Sequence, residues 1–459
     1  MEVLVVSVNR LTEPVPVLPL GACAAAEAAE RAGHRVRLLD LLSEGDPLGR
    51  LRAKLSRRRA DVVGLSVRNL DNAEWSAPAS YVPAAAQAVA AAKAAGARVV
   101  LGGAGVGVMA EALLARTGAD AAVAGDGEDA FPAVLEALDS GGADPGAAVW
   151  RRPYSGPWRF PRLERWLDLK AYASRFAAVP VQTKRGCPFS CVYCTYPGIE
   201  GRDYRLCPPA EAAAEVERLG KVGARDVEFV DNLFNAPRDH ALEVCEEVAR
   251  RRPGLRLHSV DLSPLTLDDE LLGAMEAAGF AGAGVTAESA SDPVLERLGK
   301  GFGAADVHRA AEGLRRRRIP TMWVFLLGGP GETRATVAET LRFAETSLGP
   351  SDAAFFNVGV RVYPGTALEG IARDEGVLDG TEDLLDPTFY LSPALDPEWL
   401  LRTVNRAVGG NPRFLGPSMP LRWLLPLVRR VGYAAGLRPP LWRHSGRLRR
   451  LVTLPRRPT

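Results

Sequence analysis

Lysine is scarce in this chain, with six residues among 57 basic side chains in 459 positions. Together with heavy alanine and glycine use, that bias points to a GC-rich coding sequence and not to any chemistry. Long apolar runs are missing as well: none reaches the ~20 residues that a membrane-spanning helix needs. The opening MEVLVVSV reads as a strand, so no signal peptide is expected. Cysteine is limited to six residues, three of them clustered, which suits metal binding in a reducing compartment better than a disulfide framework. A cytoplasmic protein is therefore expected. What is present is ordinary for a soluble globular chain, 47% hydrophobic and 24% charged, and long enough for two or three domains with a sizeable core.

Acidic residues are absent from one region. Positions 401–459 hold thirteen Arg and no Asp or Glu, so the net charge of +2 conceals a balance of −11 over the first 400 residues. The tail is a separate electrostatic object. Its segment PLRWLLPLVRRVGYAAGLRPPLWRHSGRLRRLVTLPRRP interleaves Trp423 and Trp442 with Arg, and Pro420, Pro426, Pro439 and Pro440 restrict it to short helices. Three readings stand: a cap on the mouth of the second domain, a peripheral contact with an anionic membrane surface, or a site for an acidic or phosphorylated partner. Nucleic acid is not expected, since no ordered basic stripe or folded module accompanies the tail.

Residues 1–140 alternate short apolar runs (MEVLVVSV, HRVRLLDL, DVVGLSV, RVVLGG, DAAVAG) with Ala-rich helical stretches, the pattern of a doubly wound, Rossmann-like α/β sheet. Ligands of such sheets sit beyond the carboxyl ends of the strands. Three of those ends carry small or polar residues: SVRNLDN with Ser66, Arg68, Asn69 and Asp71; GGAGVG with Gly102, Gly103 and Gly105; and GDGE with Gly125, Gly127 and Glu128. The glycine string follows the fourth strand, not the first, so it does not match a dinucleotide fingerprint. A connector rich in Trp, Arg and Pro covers 141–178, the α/β alternation resumes over 179–385, and the Arg-rich extension occupies 386–459.

The most informative feature is CxxxCxxC in KRGCPFSCVYCTYPG, with Cys187, Cys191 and Cys194. Three thiolates leave one iron of a four-iron cluster open, whereas a closed cluster or a structural zinc takes four ligands. Cys207, thirteen residues on, is the alternative fourth ligand of a zinc knuckle. With Tyr193 before the last cysteine, the motif resembles the radical S-adenosylmethionine enzymes. With the α/β domain in front, the chain resembles the cobalamin-dependent members of that family, methyltransferase type, over residues 1 to about 385. The resemblance implies a partial (β/α)6 barrel for the second domain, with chemistry at the strand C-termini.

It also implies the cofactors: a 4Fe-4S cluster on the three cysteines, S-adenosylmethionine and cobalamin. By resemblance, Tyr193 meets adenine and Asp231 and Asn232 end the second strand at the S-adenosylmethionine site. Glu288 and Ser289 contact its amino group or ribose, and the turn of Gly328, Gly329 and Gly331 admits adenine. An ion pair of Glu288 with Lys300 or Arg297 is the alternative for that acid. The corrin lies across the strand ends of the first domain. The family's frequent DxHxxG motif is missing, because the place after the first strand reads SVNRLTEPVPVLPLG. Cobalamin without a histidine lower ligand is thus expected, with Arg68 facing the corrin and disfavouring an added axial ligand; an ion pair of Arg68 with Asp71 or Asp126 is the competing reading. His34, His240, His258, His308 and His444 read as surface or core residues.

The implied reaction is methylation of an unactivated carbon on a small molecule, a secondary metabolite such as an antibiotic intermediate by analogy. A 5'-deoxyadenosyl radical abstracts hydrogen and methylcobalamin supplies the methyl group. A low-potential donor such as flavodoxin or ferredoxin supplies electrons, and no protein acid or base is assigned as catalytic. Two other readings are ring contraction or cyclisation without methyl transfer, and a corrinoid-binding sensor or carrier, which leaves the cysteines idle. A methylthiotransferase would need a second cysteine triplet, and the first domain has only Cys23.

Overall fold

The first apolar runs fold as parallel strands β1 (Glu2–Ser7), β2 (Arg35–Asp40), β3 (Val62–Ser66), β4 (Arg98–Gly102) and β5 (Ala121–Val123), joined by helices. In this computed structural model, which describes residues 1–12, 15–140, 148–416 and 425–445, a further strand β6 (Ala148–Trp150) extends the sheet to the order β2-β1-β3-β4-β5-β6. β6 lies inside the stretch read as connector; three half-buried residues among Trp, Arg and Pro carry no readable period. Leu4 and Val6 of β1 enter one core while Val3 and Val5 enter another, so helices cover both faces of the sheet. The strand order reverses between β1 and β3, which opens a crevice at their carboxyl ends.

The second sheet starts at β7 (Val179–Val181). A two-residue antiparallel pair, β8 (Lys184–Arg185) and β9 (Arg205–Leu206), then brackets the cysteine loop. β10 (Asp226–Phe229), β11 (Arg256–Leu262), β12 (Phe280–Glu288), β13 (Thr321–Leu327) and β14 (Ala353–Val358) continue the barrel. Past β14, β15 (Val360–Arg361) pairs with β16 (Phe389–Tyr390), and β17 (Phe414–Leu415) joins the edge of β14. The barrel sheet runs β17-β14-β13-β12-β11-β10-β7. Its first six strands are those read from the sequence; the seventh comes from the segment read as tail.

Strand alternation separates the two barrel faces. Val227, Phe229, Leu257, Ala283, Val285, Trp323, Phe325 and Phe356 enter the core beneath the helices. Their neighbours, including Glu228, His258, Gly282, Thr286 and Val324, take the opposite, lumen face. Pro440 would touch a Cβ on Gly282, near the start of β12, so the described tail closes the end of the lumen remote from Glu288 and not its mouth. Tyr433 packs edge-on against Phe176 of the connector, and Arg429 donates to the Thr12 carbonyl at 2.7 Å. Trp423 and Pro420 lie outside the described residues. Among those described, no helix is long and apolar enough to cross a membrane.

The two domains share a core, since Leu326, Val360, Val362, Leu368 and Tyr390 pack with Leu65, Val67 and Leu101. At that joint Arg361 donates to Asp71 at 2.8 Å, with side-chain exposures of 4% and 0%. The guanidinium also donates to the carbonyls of Thr388 and Leu384, so its charge is well paired. Removing one member strands the other charge in the interior, which costs about 3–5 kcal/mol. Asp71→Ala should lower the unfolding free energy by that amount, measured by circular dichroism in denaturant, whereas Asp383→Ala, which removes an exposed ion pair with Arg116, should change it by under about 1 kcal/mol.

Candidate active site between the two domains

The cysteine loop is shaped by backbone contacts that leave no room for a side chain. Gly186 has φ +89°, and a Cβ there would lie 2.0 Å from the Asp203 carbonyl oxygen; a Cβ on Gly299 would lie 2.7 Å from that of Ser190. The Cys187 N–H donates to Gly201 O at 3.0 Å, and the Val192 N–H to Leu298 O at 3.0 Å. Cys187, Cys191 and Cys194 are free thiols. Burial pushes the Cys187 thiol up and that of Cys194 to about 11, against the pull of Lys184 on the first and Lys300 on the second. A bound metal would displace those protons. Among the described residues no three metal-binding side chains converge on a single-ion site, while a cluster accepts one thiolate per iron. Cys207 is fully buried in the barrel-side core, away from the loop. The donor set fits an open four-iron cluster.

At the end of β12, Glu288 holds a left-handed φ of +63°, beside a register shift between Thr286 and Glu288. Strain of this kind persists where the surroundings over-determine it. Tyr193 donates to Glu288 at 2.6 Å, and Lys300, 8% exposed, donates to the Tyr193 hydroxyl at 3.1 Å and stands 3.6 Å from Glu288. The cluster loop is thereby joined to the carboxyl end of β12.

Three residues expected at the S-adenosylmethionine site are engaged by protein neighbours. Asp231, fully buried, accepts from Thr183 N, Thr183 Oγ1 and Lys184 N at 2.6–3.0 Å, so its carboxylate is occupied. Asn232 donates to Gly186 O and Glu200 and accepts from Lys184 Nζ at 2.8 Å. Ser289 is buried against Thr340 at 3.1 Å. The glycine turn is a tight loop, with φ +94° at Gly328 and +77° at Gly331. Gly328 N and Gly329 N donate to the Glu332 carboxyl.

In the first domain, Gly103 has φ +100° and its missing Cβ would strike the Val67 carbonyl at 2.6 Å; Gly105 approaches the same oxygen. Gly125, with φ +96°, and Gly107 sit against Ile199 of helix Tyr196–Glu200, which directly follows Cys194. Gly21, Gly64, Ser66, Gly102, Gly125 and Phe131 border a cavity of about 200 Å³. Trp158 and Phe160 of the connector complete its wall, a contribution the sequence did not signal. A side chain on Gly21 or Gly102 would meet no protein atom within 4 Å, so the cradle is open at these two glycines.

Arg68 is exposed, and its described partner is Asn69 at 3.3 Å. The acids that could have neutralised it are committed elsewhere: Asp71 to Arg361, and Asp126 to Arg185 at 2.8 Å and to Arg205. Glu128 is held by Arg185 at 2.6 Å. Asp71 and Glu128 therefore join domains and offer no free carboxylate to a cofactor. Arg68 is close enough to influence Glu228 and Asp261 in the barrel and Tyr196 beside the cysteines. Each histidine is engaged away from these strand ends: His34 with the N-terminus, His240 with Cys207 O, His258 with Asp226, His308 with Phe343 and His444 with Arg438 O.

Glu332 is a buried acid whose Oε1 has no described partner. Burial outweighs the two glycine N–H bonds and pushes its carboxyl up to about 8. A carboxyl raised on folding makes the native state hold more protons than the unfolded one between its two pKa values, so stability falls as pH rises through that window. Glu332→Gln should flatten the decline between about pH 4.5 and pH 8 by one proton's worth of slope, read from denaturant midpoints across that range.

The radical SAM superfamily matches residues 181–344 and the B12 binding domain matches residues 7–135. An uncharacterised methyltransferase of Pyrococcus horikoshii is 29% identical over 41% of this chain and 40% of its own length. Tryptophan 2-C-methyltransferase of Streptomyces laurentii is 29% identical over 40% of this chain and 33% of its own. The chain thus spans under half the length of these curated relatives. The radical S-adenosylmethionine methyltransferase TsrM of Kitasatospora setae, solved with cobalamin and a 4Fe-4S cluster, superposes at a TM-score of 0.83 over 98% of both chains with 24% identity, a likeness of fold. With both domains in this order, the chain belongs to the cobalamin-dependent branch of the radical S-adenosylmethionine enzymes, whose cofactors are a 4Fe-4S cluster, S-adenosylmethionine and cobalamin.

Proposed function

We propose that this enzyme is a methyltransferase that transfers a methyl group to an unactivated carbon of a small molecule. One observation supports the reading: Arg68 from the first domain lies within electrostatic reach of Tyr196 beside the cysteines and of Glu228 and Asp261 on the barrel strands. The cluster with S-adenosylmethionine supplies radical chemistry, and cobalamin supplies a transferable methyl group.

The chain's own residues position these parts. Cys187, Cys191 and Cys194 hold the cluster. Tyr193, Glu288 and the turn of Gly328, Gly329 and Gly331 border S-adenosylmethionine, with Lys300 fixing the Tyr193–Glu288 bond. Ser66, Gly102, Gly103, Gly105, Gly125 and Gly127 line the corrinoid's path, and Arg68 with Asn69 faces the ring. The Arg68 guanidinium, with no carboxylate partner among the described residues, would place positive charge beside a bound corrin. The Arg185–Glu128 and Arg205–Asp126 pairs keep the two cofactor sites in register and exclude water between them. The three sites lie within the intervals 1–140 and 179–385, which we take as the two domains. A low-potential flavodoxin or ferredoxin is the proposed electron donor.

Anaerobically reconstituted protein given S-adenosylmethionine and reductant should release both 5'-deoxyadenosine and S-adenosylhomocysteine, counted by mass spectrometry, the second only when cobalamin is present. Release of 5'-deoxyadenosine alone would favour cyclisation or ring contraction. Arg68→Ala should keep its iron content but lose most cobalamin-dependent S-adenosylhomocysteine formation. Gly102→Leu should fill the cradle and lower cobalamin retention about tenfold or more, the order expected when ~1.4 kcal/mol of binding is lost, while the cluster absorbance stays unchanged.

A further inference from the structure

Regular alternation along β11 would place Asp261 on the face of Leu257, beneath the helices. A bulge between Ser259 and Leu262 shifts the register so that Leu262 takes the core face, and Val260 and Asp261 are released toward the lumen. The neighbouring strand accommodates the bulge through Gly284, where a Cβ would lie 2.5 Å from the Val260 carbonyl oxygen. Glu228 faces the same lumen from β10, the strand paired with β11, and lies close enough to Asp261 for that charge to disfavour its own, while Asp261 in turn feels Glu288.

Neither acid forms a side-chain hydrogen bond or ion pair with any described residue. The nearby cations have partners or lie across the space: Lys184 is bonded to Asn232, Lys300 to Tyr193 and Glu288, and Arg68 extends from the other domain. Burial first, then the neighbouring carboxylates, push both carboxyls up to about 7. The lumen is open beside them, because Val260 on a central strand is 44% exposed and Tyr196 is 41% exposed. Pro440 provides an apolar floor below.

Two half-buried carboxyl groups without a described partner, above an apolar wall, gain most from a ligand that brings N–H donors and positive charge on an apolar body. We propose that Glu228 and Asp261 form the substrate's amine subsite, so that this enzyme acts on amines carrying an apolar body. The inference rests on the methyltransferase reading and names the substrate class of that same site. An anionic substrate lacking an amine meets two like charges there.

The test uses the full chain, reconstituted with cluster, cobalamin and S-adenosylmethionine. Calorimetry compares tryptamine and 2-phenylethylamine with 3-propylindole and propylbenzene, in which methyl replaces the amine, and with indole-3-propionic acid. Both amines should bind at least about tenfold more tightly than their neutral counterparts, the order expected for a charge-assisted bond. The isosteric E228Q and D261N changes together should erase that preference while leaving neutral-analogue binding, cobalamin content and S-adenosylmethionine affinity unchanged. Failure of both amines to bind at millimolar concentration, a preference that survives both substitutions, or a loss confined to S-adenosylmethionine affinity would each overturn the proposal. Cobalamin-dependent S-adenosylhomocysteine release in the absence of substrate tests the underlying reading separately. If it persists while the amine preference fails, only the substrate class is wrong.

Discussion

The architecture depends on one buried electrostatic clamp. Asp126 and Glu128 leave the glycine loop of the first domain and meet Arg185 and Arg205 from the two strands that bracket the cysteines. Two carboxylates and two guanidiniums cancel in charge, and Tyr154 N adds a hydrogen bond to Asp126 at 2.8 Å. Buried pairs contribute little net stability compared with apolar packing, but losing one partner is severe. Their effect here is on register. Because the clamp grips both sides of the cysteine loop, helix Tyr196–Glu200 is pressed onto Gly107 and Gly125, and the two cofactor sites share a wall. Arg361 with Asp71 performs the same task on the far side of the joint.

Within that frame the site is built from small residues and local strain. Gly103 and Gly186 let backbone approach backbone, Glu288 is held in a left-handed conformation by Tyr193 and Lys300, and a bulge in β11 turns Asp261 inward. Each is an exception to regular geometry, and each lies where two elements meet. A further register shift lies between Leu257 and His258, while the pairs β10–β11 and β13–β14 run in unbroken register.

Local sequence was informative where a motif acts through its own backbone. The cysteine spacing, the glycine strings at strand ends and the α/β alternation depend on neighbours a few residues apart, and they are found as read. Side-chain roles were less legible. Asp231, Asn232 and Ser289 stand at strand ends where ligands bind, yet their polar atoms are consumed by Thr183, Lys184, Gly186 and Thr340. Lysine scarcity was read as genome composition. Two of the six lysines, Lys184 and Lys300, are nonetheless buried at the site, and their rarity was the available signal. β6 and β17 are two or three residues long and lie in segments rich in Trp, Arg and Pro, without the alternation of helix and strand that marks the equally short β5 and β7.

The sequence by itself determined the family, the order of two parallel α/β domains and the three thiols for a cluster, because periodicity and close-spaced motifs survive in one dimension. Tertiary structure alone decided which polar groups remain free. Arg68 is left without a carboxylate because Asp71 and Asp126 found partners 290 and 59 residues away. Glu228 and Asp261 are left unpaired among the described residues because a bulge and an open lumen hold them apart from the surrounding cations. Such choices depend on competition among distant charges for one another, and that competition is settled only when the chain has folded.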